Sequence, residues 1–257
     1  MKVAFCFSGQ PRDVKNTLDN VLWSWGTHQE LDFFVHTWVP EQTGSFRPDI
    51  PSDTFDGDTL EYILKKLNPK KHKFEHQITF NKVYPDSKTW PIGNPCIPNP
   101  SQNIQSFFYS IQQANNLKKE YEKENNFVYD CVIRSRFDYL FTEQYDISKY
   151  DLSFVNIKNN CNHTDYAIND HLALSNSENI DIYSDMFNYL EECYNDGIEF
   201  NTEVFWGYYI QIKKKLKVSK TLGDTESYLS TVKDRWNFWG MPPQHKILDL
   251  KSKNYEF

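Results

Sequence analysis

The sequence predicts an α/β domain with a mostly parallel central sheet flanked by helices. Val3 to Phe7 is a continuous apolar run, typical of a strand covered on both faces, and it stops at the polar segment Ser8 to Arg12. Apolar residues at helical spacing follow Asp13, which we expect to cap a helix, and Leu31 to Trp38 is a second strand candidate. A strand, a helix and a strand in this order indicate the start of a parallel sheet.

The rest of the chain continues this alternation. A short helix is expected after Asp56 or Asp58, and a strand near Phe74 to Phe80. Prolines from Val83 to Pro100 predict a surface loop. Further elements are a long helix capped by Ser101, a strand from Val128 to Phe141, a short apolar piece at Leu172 to Leu174, a helix with Ile180, Tyr183, Phe187 and Leu190 inward, and a helix after Asn201.

Composition excludes some classes of function. The formal net charge of -7 argues against a protein that holds a nucleic-acid backbone, because such a protein needs a dominant basic surface. Five scattered cysteines without metal-finger spacing predict free thiols in a reducing compartment. The first apolar run is too short for a signal peptide, and no segment is long enough to span a membrane, so we expect a cytoplasmic protein.

The strand candidate Val128 to Phe141 carries three charges at alternating positions. In an extended chain Arg134, Arg136 and Asp138 point to one face, near the carboxyl rim where open α/β sheets bind ligands. Paired guanidinium groups suit a diphosphate, since each donates two parallel hydrogen bonds to phosphate oxygens. Asp138 suits a divalent metal or a sugar hydroxyl. A structural ion-pair ladder is the alternative.

The first loop offers a second half of such a site. Ser8 and Gly9 follow the first strand, and Gly9 permits close backbone approach to a nucleotide. Gln10 has the amide to read a base or a ribose. Arg12 precedes a helix N-terminus, where free N–H groups favour anions. The segment does not match the GxGxxG pattern, and an ordinary turn with a surface arginine remains the alternative.

Four patches together resemble a known family. Ser8-Gly9-Gln10-Pro11-Arg12, His36-Thr37-Trp38, Arg134-Ser135-Arg136-Phe137-Asp138 and Ile168-Asn169-Asp170 resemble small glycosyltransferases of bacterial surface-polysaccharide loci, large DNA viruses and phages. The resemblance runs from about Lys2 to Ile210 and implies a Rossmann-like GT-A fold with a nucleotide-diphosphate sugar as donor. The length of 257 residues fits a single domain, in which we expect a nucleotide-sugar-binding half at 1–142 and an acceptor-side half with the C-terminal loops at 143–257.

The resemblance also implies roles for individual residues. Arg134, Arg136 and Asp138 stand where GT-A enzymes carry an Asp-x-Asp metal motif, but one aspartate replaces the usual pair, so Mn²⁺ or Mg²⁺ at Asp138 is an open alternative. Asp170 is the first choice for the catalytic base and Glu203 the second. A late histidine sometimes binds the metal in such enzymes, which makes His245 a further candidate.

Aromatic residues make up 16% of the chain, more than its core needs, so some rings are expected to line a cleft. Trp90, Trp236 and Trp239 are candidates to stack on the acceptor glycan. Two other functions remain open. A sulfotransferase-like enzyme also needs an anion loop and arginines, although no phosphate loop of that class is present. A carbohydrate- or nucleotide-binding protein without catalysis would explain the missing second aspartate.

Overall fold

The computed structural model describes residues 1–26, 30–39, 44–45, 54–84, 100–141, 143–158, 164–222 and 228–229. Its strands are β1 (Val3–Gly9), β2 (Leu31–Val39), β3 (Gly44–Ser45), β4 (Thr54–Phe55), β5 (Lys71–His76), β6 (Cys131–Ser135), β7 (Tyr139–Leu140), β8 (Val155–Ile157), β9 (Leu172–Ser175), β10 (Val218–Ser219) and β11 (Tyr228–Leu229). Its α-helices are α1 (Val14–Trp25), α2 (Thr59–Leu67), α3 (Pro100–Asn125), α4 (Ser177–Ser184), α5 (Leu190–Asn195) and α6 (Thr202–Gly207). Short 3₁₀ helices cover Ile147–Lys149 and Asp185–Tyr189, and α6 continues into a π-helical segment at Tyr208–Lys213.

A seven-stranded sheet in the order β10-β8-β9-β6-β1-β2-β5 organises the chain. Neighbours in the group β5-β2-β1-β6 are parallel, as are β8 and β10. Only β9 runs the other way, because it pairs antiparallel with both β6 and β8. The predicted α/β class with a mostly parallel, helix-flanked sheet is therefore confirmed. Within the described ranges, no helix has the length and apolar character to cross a membrane.

Alternation along β1 builds both apolar layers of the molecule. Phe5 and Phe7 pack on the face covered by α1, whereas Ala4 and Cys6 face the layer formed by α3 and the later helices. All four side chains are buried, which explains why β1 is apolar throughout. The continuous apolar run from Val3 to Phe7 is therefore explained by a strand that is covered by helices on both faces.

Gly207 in α6 allows an unusually close contact with the chain before β9. A Cβ at this position would lie 1.8 Å from the carbonyl oxygen of Tyr166, a distance that no side chain tolerates. The contact continues at Ile168, whose N–H donates to the carbonyl of Glu203 at 3.2 Å. Glycine therefore fixes α6 against the segment that leads to Asp170.

Several predicted boundaries are wrong. The third strand of the parallel group is Lys71–His76, not Phe74 to Phe80. All its side chains except Phe74 are polar, which fits its place at the edge of the sheet. Asp13 adopts a left-handed conformation (φ 51°) and makes no side-chain capping hydrogen bond to α1. Asp58 likewise flanks α2 without a side-chain cap, and Ser101 lies inside α3. The Asn201 cap is confirmed, since its side chain accepts from two N–H groups of α6.

Candidate functional site

The carboxyl ends of β1 and β6 meet at the point where the order of the sheet reverses. The chain proceeds from β1 to β2 on one side, while β6 lies on the other side, with Phe7 opposite Ser135. Open α/β sheets bind ligands in the crevice at such a switch point. Because β9 is antiparallel, its first residue Leu172 lies opposite Ser135, so Asp170 reaches the same rim. The sheet thus brings the first loop, the arginine segment and Asp170 together.

Asp138 is held by two arginines at this rim. Arg136 donates from Nε to Oδ1 and from Nη2 to Oδ2, both at 2.8 Å, which is a bidentate pair. Nη1 of Arg12 lies 3.8 Å from Oδ2. Burial alone would raise the pKa of Asp138, but the charge and the hydrogen bonds of Arg136, together with the charge of Arg12, lower it to about 2. Asp138 is therefore an ionised carboxylate that is 2% exposed.

The sequence predicts that Arg134, Arg136 and Asp138 share one face of a single strand, and this prediction is wrong beyond Ser135. Strand β6 ends at that residue, and Phe137 and Asp138 form a turn before β7. Phe137 stacks on Phe7 at 4.9 Å between ring centroids, which anchors the turn in the apolar layer of α1. The chain therefore leaves the extended conformation, and Arg136 curls back onto Asp138 two residues later.

Arg134 lies beneath the rim rather than on it. Its side chain is 1% exposed, and its guanidinium lies against the rings of both Phe107 in α3 and Trp206 in α6, at 5.1 Å and 5.2 Å from the ring centroids. Nη1 donates to the carbonyl of Asp170, and Nη2 to Oγ of Ser8 at 3.4 Å. Among the described residues it forms no ion pair with a carboxylate, and Nε has no hydrogen-bond partner. A buried cation without a paired anion is costly, and the hydroxyl of Tyr183 is a further polar neighbour of this guanidinium.

The first loop turns sharply at Gly9, which has a φ of +105°. No described atom lies within 4 Å of the position of a Cβ here, so the predicted space beside the glycine exists. Gln10 is differently engaged than expected, because its Oε1 accepts from Nε of Arg12 at 2.9 Å and also from Nη2. The side-chain oxygen of Gln10 thus orients Arg12 toward Asp138, and contact of Gln10 with a base or a ribose stays a prediction.

Asp170 has two neighbours that the sequence reasoning missed. Thr202 donates from Oγ1 to Oδ2 at 3.1 Å, and Nε2 of His171 lies 3.2 Å from Oδ1. Nδ1 of His171 lies 3.4 Å from the amide nitrogen of Asn169, so Nδ1 is the acceptor and Nε2 carries the proton. The signal available in the sequence was only that His171 directly follows Asp170.

Charges around this pair keep Asp170 ionised. Burial would raise the pKa of Asp170, but His171, Arg136, Arg134 and the Thr202 hydrogen bond together lower it. Burial also lowers the pKa of His171, to about 4. Since His171 is then neutral near pH 7, we attribute the lowered pKa of Asp170 to the two guanidinium groups and to Thr202. The result is a buried carboxylate that accepts from a neutral imidazole.

A fully buried histidine, His36, supports the first loop. The N–H of Gly9 donates to Oγ of Ser110 at 2.6 Å, and this hydroxyl lies 2.7 Å from Nδ1 of His36. Nε2 of His36 lies 2.8 Å from Glu75 on β5. Because the hydroxyl accepts from Gly9 and donates to Nδ1, the proton of His36 sits on Nε2 and points at the carboxylate. His36 therefore connects the edge of the sheet to the turn at Gly9.

Two histidines with lowered pKa values, His36 and His171, predict that stability falls on acidification. The folded pKa values of His36 and His171 are about 4, below the ordinary 6.5. Between these pH values the unfolded chain binds protons that the folded chain excludes, so the stability present above pH 6.5 decreases toward pH 4. Each histidine contributes at most about 1.4 kcal/mol per pH unit. Urea unfolding from pH 7.5 to 4.5 measures the slope, which His36→Gln should reduce; an unchanged slope would contradict this assignment.

The remaining predicted residues are Glu203 and four that lie outside the described ranges. Glu203 lies in the first turn of α6 behind the Asn201 cap, where the helix dipole favours an acid. Trp90, Trp236, Trp239 and His245 lie outside the described residues, as does residue 142, where the two predicted halves meet. Cys6, Cys131 and Cys193 are free thiols, as predicted.

An open groove of about 840 Å³ lies elsewhere, at the opposite end of α3. Its walls include Lys119, Lys123, Phe127 and Val128, and it contains none of the predicted site residues. Val128 precedes β6, so the groove belongs to the amino ends of the parallel strands. Size alone does not identify a site: the groove also has charged walls, which include Glu120, Glu122 and Asp181, but it lies away from the switch point of the sheet where Arg136, Asp138 and Asp170 meet.

No protein-family model matches the chain, and no curated protein matches it with significant similarity.

Proposed function

We propose that this protein is a GT-A-type glycosyltransferase that moves a sugar from a nucleotide-diphosphate donor to a hydroxyl of a glycan or another acceptor. The observation that carries the proposal is the cluster of Arg12, Arg134, Arg136, Asp138 and Asp170 at the switch point of the sheet. Three guanidinium groups face two carboxylates there. The cluster has an excess of positive charge in a chain whose net charge is -7, which suits an anionic ligand.

The donor half of the proposed site is the side of β1 and β6. The open space beside Gly9 accepts the nucleotide, and Arg12 and Arg136 lie next to it with guanidinium groups for the diphosphate. Arg134 lies one layer deeper, where its charge adds to the field at the rim. These groups stabilise the negative charge that the diphosphate gains when its bond to the sugar breaks.

The acceptor half is proposed around Asp170. In an inverting transfer, the acceptor oxygen attacks the sugar carbon, the bond to the diphosphate oxygen breaks, and a carboxylate takes the hydroxyl proton. Asp170 is ionised and is oriented by Thr202 and His171, which fits this role. Glu203 remains the second candidate for the base. A cytoplasmic location agrees with the use of nucleotide sugars and is part of the proposal.

Donor titrations by calorimetry test the function. We expect one of the UDP-, GDP- or dTDP-sugars to bind, CMP-sugars to bind weakly because they lack a diphosphate, and a nucleotide sulfate donor not to bind. Arg136→Gln should weaken binding of the diphosphate donor about 10- to 100-fold, because hydrogen bonds to charged groups contribute about 1.5–3 kcal/mol. Binding of the free nucleoside should stay the same.

Lys71→Gln is the matched control, since it removes a cation whose partners Glu120 and Glu124 lie on the surface of α3. Its donor affinity should equal that of the wild type. Tight binding of the sulfate donor would favour the sulfotransferase-like alternative. Binding of a donor without any transfer or hydrolysis would favour the non-catalytic alternative.

A further inference from the structure

Asp138 does not offer a divalent cation the ligands it needs. Both carboxylate oxygens accept from Arg136 at 2.8 Å, and a second guanidinium lies 3.8 Å away. Two neighbouring positive charges repel a metal ion, while Mn²⁺ and Mg²⁺ prefer several oxygen ligands with free lone pairs. Within the described part of the chain, no group of three or more His, Cys, Asp and Glu residues could hold a metal. The described residues therefore do not fit the metal that a GT-A enzyme would use.

We infer that Arg12 and Arg136, held in place by Asp138, take over the neutralising role of a divalent cation at the donor diphosphate. The inference deepens the proposed function and rests on it. Guanidinium groups match phosphate oxygens in a bidentate geometry and stay charged at every working pH. Asp138 is then a positioning residue that keeps two like charges together, and it does not touch the donor.

The local structure explains how the two arginines are kept close. Arg136 is fixed by the bidentate pair, and Arg12 lies between Gln10 and Asp138. Asp138 is 2% exposed, so water screens its attraction to either arginine only weakly. Side chains that are oriented before binding lose little conformational freedom when an anion arrives. Arg12 and Arg136, here called the arginine clamp, come from two different loops and are thus oriented for a diphosphate before it binds.

Calorimetric titration of the full chain tests the inference with two probes, inorganic pyrophosphate and the nucleoside diphosphate of the preferred donor. Each probe is titrated in the presence of EDTA and again with Mn²⁺. We expect affinities within about twofold of one another in the two conditions. Arg136→Lys should lower both affinities about tenfold. The ammonium of lysine keeps the charge but lacks the two parallel N–H donors of the guanidinium. Lys213→Gln, which removes a cation paired with Glu192 and Asp196 away from the rim, should leave them unchanged.

A double-mutant cycle tests whether Asp138 acts through Arg136. If it does, the variant Asp138→Asn/Arg136→Lys should bind pyrophosphate no more weakly than the weaker single variant. Additive losses would show that Asp138 contacts the ligand independently and would overturn its positioning role. Asp138→Glu, which keeps the charge, should restore part of the affinity lost in Asp138→Asn.

The outcomes separate this inference from the proposed function. Binding of both probes only with Mn²⁺ would overturn the inference and leave the proposed function standing. Binding of pyrophosphate in EDTA, without binding of any nucleoside diphosphate, would support the arginine clamp and contradict the proposed donor. Absence of binding by both probes in both conditions would overturn both.

Discussion

Asp170→Asn should reduce sugar transfer by about 10²–10⁴-fold while donor affinity stays close to that of the wild type, as expected when a general base is lost. The substitution keeps the shape of the side chain, and an amide oxygen can still accept from Thr202. The contact with Arg134 is made by the backbone carbonyl of Asp170 and does not depend on the side chain. The variant therefore removes the basic group and keeps the shape of the site, at the cost of the hydrogen bond from Nε2 of His171, which then faces the amide nitrogen.

Glu203→Gln is the matched control, because Glu203 is the other candidate base and lies next to Thr202 in α6. Transfer rate and calorimetric donor affinity are measured for both variants. A large loss of rate in Glu203→Gln, with Asp170→Asn unaffected, would move the base to Glu203. A lower melting temperature in Asp170→Asn with unchanged rate per folded molecule would show a purely structural aspartate.

Lys118→Met should destabilise the fold by about 3 kcal/mol, because it leaves the buried carboxylate of Glu122 without its cation, while the half-buried Asp181 can be solvated from the groove. Lys118 is fully buried, with Nζ 2.8 Å from Asp181 and 3.0 Å from Glu122, and it also donates to Ser177. Glu122 in turn accepts from the N–H of Tyr129 at 2.8 Å. The network joins α3 to α4 and to the chain that enters β6.

Arg134→Met is the informative comparison, because Arg134 is equally buried but has no carboxylate partner among the described residues. Its loss leaves the carbonyl of Asp170 without one donor, which costs about 1–3 kcal/mol, while removal of an unpaired buried charge offsets part of that cost. We expect Arg134→Met to be clearly more stable than Lys118→Met and to bind the donor more weakly. Chemical unfolding and calorimetry measure both; equal destabilisation with unchanged donor affinity would make Arg134 a structural residue.

Local patterns predicted the elements that build the core. The apolar run at Val3 to Phe7 identified β1, because a strand with helices on both faces has no polar side. Helical spacing identified the inner face of α1, and the Asn201 cap located the start of α6. The bounds predicted for the edge strand β5 are wrong, because its sequence from Lys71 to His76 contains a single apolar residue, Phe74, and so has no hydrophobic pattern to locate it.

The site was predicted only in part for a related reason. The segment Arg134 to Asp138 was identified as charged and near the rim, but its geometry depends on the turn that Phe137 anchors against Phe7. The sequence did not predict His171 or His36 as site residues. His36, for example, is defined by hydrogen bonds to Ser110 and Glu75, which are distant in the chain. Hydrogen bonds of this kind leave no periodic pattern in the sequence.

By itself the sequence determined the class of fold, the position of the first loop at the end of β1, and the residues that carry charge to the rim. Spacing and burial tendency are local properties, and they suffice for these features. The tertiary structure alone decided which charges meet. The antiparallel strand β9 places Asp170 opposite the end of β6, and the turn after Ser135 folds Arg136 onto Asp138. Both depend on pairing between distant segments, whose geometry follows from the packing of the whole sheet rather than from any neighbouring residue.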